Sequence, residues 1–251
     1  MNVFALDFDG VICDSAAEAG VTAWRAGSRI WPQWRGLEPP ANNLRRFIKL
    51  RPVIETGYQT VLLMKLIHDD VSDECIVAEF SKRSEILLEE LGWAREHCAK
   101  LFNQTRAAWM QQDWEDWLGR HRFYPQVWKT FTEHFDREPI FIVTTKQERF
   151  VEALLNAAGV SFPVERIFGL DKGQAKEAVL EQLLQDAKFQ QAHWHFVEDR
   201  LKTLLRLANC ESLSCIRLYL AAWGYNTAED RSTARRLPFV TLWNPEQFLV
   251  V

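Results

Sequence analysis

Two aspartates, one residue apart, are the first residues of this chain that could do chemistry. They follow a short apolar run in "FALDFDGVIC" and precede a glycine. In an extended chain, side chains two residues apart point to the same side, so Asp7 and Asp9 can face one pocket. Adjacent carboxylates repel each other, and a divalent cation such as Mg²⁺, which prefers hard oxygen ligands, removes that repulsion.

With such a cation, one carboxylate could attack phosphorus and the other could carry protons to and from the reacting oxygens. A plain Asp-Gly turn would use the same residue types without any chemistry. The D-x-D-G pattern by itself leaves both interpretations open.

A second candidate segment is "FIVTTKQE", residues 141–148. The spacing of Thr145 and Glu148 predicts a capping box at the start of a helix. A helix N-terminus at a strand end is a site for anions, because its N–H groups are free and its dipole is favourable. Thr144 adds a hydroxyl donor. A phosphate also needs a cation, and three lysines are available: Lys146, Lys172 and Lys176.

A third group of polar residues, Glu198 and Asp199, lies in "FVEDRLKTL". The carboxylates could join the same site, or Asp199 could only cap the following helix.

The elements that position these residues are strands and helices in alternation. Four apolar runs of strand length end in polar residues, at residues 3–6, 140–143, 194–197 and 216–222. Helical patterns such as "TKQERFVEALLNAAG" separate them, with a C-terminal glycine at Gly159. This order predicts an α/β fold with a doubly wound parallel sheet. Ligands of such sheets bind outside the carboxyl ends of the strands, where the candidate residues should meet.

The block from residue 15 to residue 121 has few strand signals. Segments such as "GYQTVLLMKLIHD" and "DECIVAEFSKRSEILLEELG" predict helices. We therefore expect a helical domain of residues 15–121, inserted into an α/β core of residues 1–14 and 122–251.

Composition excludes several classes of protein. The net charge of −4 and the scattered lysines and arginines give no nucleic-acid surface. No apolar run approaches the roughly 20 residues of a membrane span. The cysteines number five, an odd count without a C-x-x-C pair, and no signal peptide is visible. We expect a cytoplasmic protein.

Together the segments resemble the motifs of the haloacid dehalogenase-like hydrolase superfamily. "DFDGVICDS" is similar to the first motif, "IVTT" to the second and "FVEDR" in part to the fourth. The helix in "GQAKEAVLEQLL" selects Lys176 for the third motif, with Lys172 as the second choice. "LYLAAWGYNTAED" looks like the next core strand and loop. The helical block resembles the C1-type cap of phosphoglycolate-phosphatase-like members, and the resemblance covers nearly the whole chain.

The resemblance implies a Mg²⁺-dependent phosphatase acting on a small phosphorylated metabolite. Asp7 would form an aspartyl-phosphate, and Asp9 would protonate the leaving oxygen and then activate water. Thr144 and Lys176 would hold the phosphoryl oxygens, assisted by Thr145. The resemblance further assigns Mg²⁺ to a ligand set comprising the Asp7 carboxylate, the Asp9 carbonyl and Asp199.

One departure from the family pattern concerns the fourth motif. Many relatives carry a second acid four or five residues after the first, where this chain has Thr203 and Leu204. Glu198 stands instead where a glycine is common. Either Glu198 serves as a direct or water-mediated metal ligand, or the metal site is weaker.

Specificity should come from the cap, whose most chemical segment is "RPVIETGY", residues 51–58. On a helix, Arg51 and Glu55 would be one turn apart with Tyr58 on the same face. The two charged residues could form a surface ion pair or close over the substrate, and they are candidate substrate-binding residues.

Three other functions stay open at this point. They are a 2-haloacid dehalogenase, a sugar-phosphate mutase, and a non-catalytic binding protein that keeps the fold. Asp9 favours phosphate chemistry over dehalogenation, because a halide leaves without a proton. The sequence leaves both the substrate and the oligomeric state open.

Overall fold

The computed structural model describes all 251 residues, which form two compact units. Unit 1 comprises Met1–Asp14 and Phe123–Val251, and unit 2 comprises Ser15–Arg122. The division expected from the sequence ended the inserted block at residue 121, one residue earlier.

The strands in chain order are β1 (Asn2–Leu6), β2 (Cys13–Asp14), β3 (Arg122–Phe123), β4 (Ile140–Val143), β5 (Ile167–Phe168), β6 (His193–Glu198), β7 (Ile216–Ala221) and β8 (Val240–Trp243). The helices in chain order are α1 (Ala16–Ile30), α2 (Ala41–Leu50), α3 (Gln59–His68), α4 (Asp73–Leu91), α5 (Arg95–Gln112), α6 (Trp114–Gly119), α7 (Pro125–His134), α8 (Glu148–Ala157), α9 (Lys176–Leu184), α10 (Leu201–Ala208) and α11 (Ala228–Ala234).

Unit 1 is built on a six-stranded sheet in the order β5-β4-β1-β6-β7-β8, and all its pairings are parallel. The central strand β1 is buried on both faces, because its alternating residues, from Val3 to Leu6, are all within 1 % of full burial. Both faces must therefore be covered, as the continuous apolar runs indicate. The predicted α/β fold with a doubly wound parallel sheet is confirmed.

The strand register brings the carboxyl ends of the central strands level. Leu6, the last residue of β1, pairs with Ile142 of β4 and with Val197 of β6. The residues that directly follow these positions must therefore share one edge of the sheet. This is the edge at which the candidate residues were expected.

Helix α8 shows how local sequence ends an element in unit 1. Its apolar residues, Phe150, Val151, Leu154 and Leu155, are buried as predicted. Gly159 follows with φ +81°, and the N–H of Val160 donates to the carbonyl of Leu155 at 2.9 Å. This is a Schellman-type end, which needs the left-handed conformation that glycine adopts without strain.

Unit 2 is entirely helical in its interior, from α1 to α6. Its core contains Trp24 and Trp34, whose rings stack at 4.3 Å. Glu18 is fully buried, and both its oxygens accept hydrogen bonds from the Arg106 guanidinium at 2.8 Å. Thr22 also donates to Glu18, at 2.7 Å. The buried charge is thus paired and hydrogen-bonded, as its burial requires.

None of the helices is both long enough and apolar enough to cross a lipid bilayer.

Candidate active site

The ends of three parallel strands position the polar residues of the site. Asp7 directly follows β1, and its N–H donates to the carbonyl of Val197 at 2.9 Å. Thr144 follows β4, and its N–H donates to Phe168 at 2.9 Å. Glu198 is the last residue of β6, and Asp199 comes next. Because these strand ends are level, the structure brings together the residues that the sequence placed after each run.

A buried lysine lies between two of the acids. The Nζ of Lys176 is 2.7 Å from Oε2 of Glu198 and 3.1 Å from Oδ1 of Asp7. Lys176 is the first residue of α9, so the helix start fixes its position. Lys172 lies elsewhere, since its Nζ donates to the carbonyl of Ile167 at 2.7 Å. The structure therefore places Lys176 beside Asp7 and leaves Lys172 outside this cluster.

Three buried carboxylates, two of them in contact with this lysine, form one cluster. One oxygen from each of Asp7, Glu198 and Asp199 lies within 4.8 Å of the others. Burial is the main cause that raises the pKa of Asp7 to about 7; Lys176 opposes the rise, and the charges of Glu198 and Asp9 add to it. Burial likewise raises the pKa values of Glu198 and Asp199. The cluster is thus an acidic site that one lysine does not neutralise.

The same acids determine the charge of the lysine. Burial alone would lower the pKa of Lys176, but Asp7 and Glu198 more than offset this effect and hold its pKa above the usual range. Lys176 therefore stays cationic at neutral pH.

Glu198 binds two backbone N–H groups in addition to Lys176. Its Oε1 accepts the N–H of Asp199 at 3.1 Å and the N–H of Arg200 at 3.0 Å. Arg200 is the N-cap residue of α10, and its side chain makes no capping hydrogen bond. The alternative that Asp199 serves only as a helix cap is wrong, because the N-cap residue is Arg200 and the Asp199 carboxylate accepts the N–H of Tyr225.

Asp199 is held by the loop that follows β7. Its Oδ2 accepts the N–H of Tyr225 at 2.8 Å, and its carbonyl accepts the side-chain amide of Asn226 at 3.1 Å. A Cβ on Gly224 or on Gly10 would collide with Asp199. Glycine is required at both positions so that the two loops can approach this carboxylate.

The two threonines after β4 have different surroundings. Thr144 is buried, and its Oγ1 accepts the N–H of Lys146 at 3.2 Å, which leaves its hydroxyl proton for a ligand. Thr145 is exposed and lies in a bend. The predicted capping box is wrong, because α8 begins only at Glu148, whose carboxylate accepts the N–H of Gly169 at 3.0 Å. A tertiary partner has replaced the local one.

Asp9 lies beside a second buried lysine. The Nζ of Lys146 is 3.1 Å from Oδ1 and 3.2 Å from Oδ2 of Asp9. Lys146 was one of three candidate lysines in the sequence, of which the resemblance favoured Lys176. Its position two residues after Thr144, in the same loop at the end of β4, could have identified it as a site residue.

The segment containing Arg51 and Glu55 belongs to unit 2 and is not one helix. Helix α2 ends at Leu50, a short 3₁₀ turn covers Arg51–Val53, and Ile54 is extended. The predicted shared helix face is therefore wrong. Pro52 is the reason, since a proline provides no N–H for the hydrogen bond that would continue the helix. Substrate contacts of Arg51 and Glu55 stay a prediction.

Comparisons with known proteins bear on the fold. No protein-family model matches the chain, and no curated protein matches its sequence. Among solved structures, a haloacid dehalogenase-like hydrolase from Streptococcus pneumoniae is similar with a TM-score of 0.59 and 14% identity, over 99% of this chain and 97% of that one.

Two further structures are similar over nearly the whole chain. A structure described as a predicted phosphatase, from Clostridium acetobutylicum, has a TM-score of 0.58 and 12% identity, over 96% of this chain and 94% of its own. One described as a predicted phosphoglycolate phosphatase, from Haemophilus somnus, has a TM-score of 0.56 and 16% identity, over 99% of this chain and 96% of its own. The chain therefore has the haloacid dehalogenase-like fold.

Proposed function

We propose that this protein is a Mg²⁺-dependent phosphatase that hydrolyses a small phosphorylated metabolite through a covalent intermediate on Asp7. The observation that carries the proposal is the position of Asp7, buried at a strand end and 3.1 Å from the ammonium of Lys176. Thr144 and Asp9 occupy the same edge of the sheet. Phosphoryl transfer depends mainly on positioning and on neutralising charge, and these residues supply both.

Two chemical steps account for the residues. In the first, a carboxylate oxygen of Asp7 forms a bond to phosphorus while the bond to the leaving oxygen breaks, and Asp9 gives its proton to that oxygen. In the second, water forms a bond to phosphorus, and Asp9 takes a proton from it. The bond between phosphorus and Asp7 breaks as this bond forms, which restores the Asp7 carboxylate and the protonated Asp9 and releases inorganic phosphate.

Lys176 and Thr144 would bind the phosphoryl oxygens during both steps. Lys176 is cationic and reaches Asp7, so it can contact oxygens on the phosphorus that Asp7 attacks. Oγ1 of Thr144 accepts the N–H of Lys146, and this bond does not use the hydroxyl hydrogen, which can be donated to a phosphoryl oxygen. We assign Thr145 an assisting role through its backbone.

The acid cluster fits a hard divalent cation. Asp7, Glu198 and Asp199 are buried carboxylates with oxygens within 4.8 Å of one another, and burial, together with the charge of a neighbouring acid, raises the pKa of each. Asp7, the Asp9 carbonyl and Asp199 would hold Mg²⁺, which supplies positive charge that keeps Asp7 ionised and screens the phosphoryl group. Glu198 would complete the site directly or through water, since Lys176 already occupies one side of its carboxylate.

The cap would select the substrate. The core residues would contact only the phosphoryl group, which all substrates share. We propose that Arg51 and Glu55 contact the leaving portion of the substrate, where a guanidinium can pair with a carboxylate or hydroxyl.

The alternative functions differ in what they require of the site residues. A 2-haloacid dehalogenase needs no proton for its leaving group, so a second carboxylate beside the nucleophile favours phosphate. A sugar-phosphate mutase would use the same residues and would differ in returning the phosphoryl group to a sugar. A non-catalytic binding protein would not need Asp7 and Lys176 together.

The test is a screen of the purified protein against a panel of phosphorylated metabolites, with Mg²⁺ and with chelator. We expect phosphate release from one class of ester that stops when Mg²⁺ is removed. Asp199→Asn should raise the Mg²⁺ concentration needed for half-maximal rate, and Glu198→Gln tests the unusual acid in the same titration. Release of phosphate that is unaffected by chelator would contradict the metal assignment, and inactivity on all esters would contradict the function.

A further inference from the structure

Lys146 forms an ion pair with Asp9 in unit 1, and the two reaction steps give this lysine no role. The ammonium meets both oxygens of the carboxylate, at 3.1 and 3.2 Å. The Lys146 side chain is 1% exposed, whereas that of Asp9 is 26% exposed. The lysine therefore lies behind the carboxylate, and Asp9 is the partner that solvent and ligands can reach.

The backbone of Lys146 is fixed on both sides. Its N–H donates to the Thr144 hydroxyl at 3.2 Å, and its carbonyl accepts the N–H of Leu170 at 3.0 Å. A Cβ on Gly169 would lie 2.6 Å from the same carbonyl, so only glycine lets this loop approach so closely. These contacts between two loops therefore fix the backbone from which the Lys146 side chain extends.

The phosphoryl group would have another cation within reach. Lys176 already lies beside Asp7 and Glu198 and supplies a cation at the point of attack. Asp9, in contrast, follows the end of β1 on a loop, and its carboxylate has two side-chain torsions to restrain. Proton transfer is efficient only when the acid is held in the correct geometry before the reaction.

We propose that Lys146 is a positioning residue that orients the Asp9 carboxylate for proton transfer to the leaving oxygen. When Asp9 carries its proton, Lys146 donates to one oxygen and the other oxygen presents the proton to the leaving group. When Asp9 is ionised, the two-point contact seen here holds it ready to accept a proton from water. The inference rests on the proposed function.

A double-mutant cycle tests the proposal. The variants are Lys146→Met, Asp9→Asn and the pair together, assayed with an alkyl phosphate substrate and with p-nitrophenyl phosphate in Mg²⁺. Lys146→Met should lower kcat on the alkyl ester by about 10- to 100-fold, less than the loss of the acid itself. KM should change by less than about 3-fold, because a positioning residue acts on the chemical step.

The effect of Lys146→Met should vanish in the Asp9→Asn background, where no acid is left to orient. It should also be smaller on p-nitrophenyl phosphate, whose leaving group needs little protonation. Lys146→Arg, which keeps a charged donor, should recover part of the rate. Lys172→Met is the matched control, because that lysine lies outside the acid cluster, and it should leave kcat unchanged.

Three results would overturn the proposal. One is an undiminished loss in the Asp9→Asn background, and another is a loss confined to KM, since both mean that Lys146 touches the substrate itself. The third is a crystal structure of Lys146→Met with Asp9 unmoved. That structure also decides the matter if the wild type hydrolyses no ester, in which case the proposed function fails independently. If Lys146→Met folds poorly, the double-mutant cycle and the structure use Lys146→Arg instead. A displaced Asp9 in the variant supports the positioning role in either case.

Discussion

Replacing Lys176 with methionine tests whether the acids of the site depend on one buried cation. Methionine keeps most of the apolar stem and removes the ammonium, which lies 2.7 Å from Glu198 and 3.1 Å from Asp7. The carboxylates of Asp7, Glu198 and Asp199 would then repel one another without the positive charge of Lys176. We expect a loss of stability in the metal-free protein that Mg²⁺ partly reverses.

The magnitude follows from the two contacts. At an effective dielectric constant of about 20, each ion pair at these distances is worth about 5–6 kcal/mol before desolvation. Desolvation of the buried ammonium offsets several kcal/mol of that sum, and losing one partner of a buried pair typically costs about 3–5 kcal/mol. Because burial already raises the pKa of Asp7 to about 7, protonation of an acid would limit the loss at lower pH. The loss should therefore be largest near pH 8.

The assay is urea unfolding at pH 8, with chelator and then with excess MgCl₂. Lys172→Met is the matched control, since its side chain is 35% exposed and its nearest carboxylate, Glu148, is 3.6 Å away. We expect the control to lose less than about 1 kcal/mol. A Lys176→Met variant as stable as this control would refute the account of the charge balance. So would a stability loss that Mg²⁺ leaves unchanged.

Three further predictions concern the acid, the cap and a buried histidine. Asp9→Asn should lower turnover of alkyl phosphates by about 10²- to 10⁴-fold and that of aryl phosphates by less, and equal losses in steady-state rates would contradict its role. Arg51→Ala should lower kcat/KM on the native metabolite by about 30- to 150-fold and barely change it on p-nitrophenyl phosphate. If Arg51 makes only a surface contact, the variant should show no such difference between the two substrates. Burial, aided by Arg217 and His193, lowers the pKa of His195 to about 4, so its neutral form stabilises the fold fully above the unfolded pKa of 6.5. That stability, up to about 3 kcal/mol, should be lost as the pH falls from 6.5 to 4. Urea unfolding of wild type against His195→Gln at pH 7 and pH 4 measures it, and a constant difference between the two proteins would count against this.

The sheet and the edge that carries the candidate site could be predicted because both follow from local patterns and one topological rule. The apolar runs that become β1, β4, β6 and β7 are continuous, and the residues after them are polar. Parallel strand ends converge, so Asp7, Thr144 and Asp199 had to meet. The two-residue strand β5, Ile167–Phe168, was too short to show any periodicity.

The contacts that the sequence did not reveal join residues far apart in the chain. Asp9 and Lys146 are 137 residues apart, and Asp199 and Tyr225 are 26 apart. Such pairs depend on the paths of loops, which spacing alone does not define. The capping box at Thr145 was wrong for the same reason, because Glu148 found the N–H of Gly169 instead of a local partner.

The covalent step on Asp7 is the central claim, and mass spectrometry tests it most directly. A phosphorylated substrate found in the screen would be mixed with the protein in Mg²⁺, quenched in acid within a turnover, and digested. The account predicts a phosphoryl group on the peptide that contains Asp7, with more label in Asp9→Asn, which hydrolyses the intermediate slowly, and none in Asp7→Asn. Rapid phosphate release with no label on Asp7, or with the label on another residue, would contradict it.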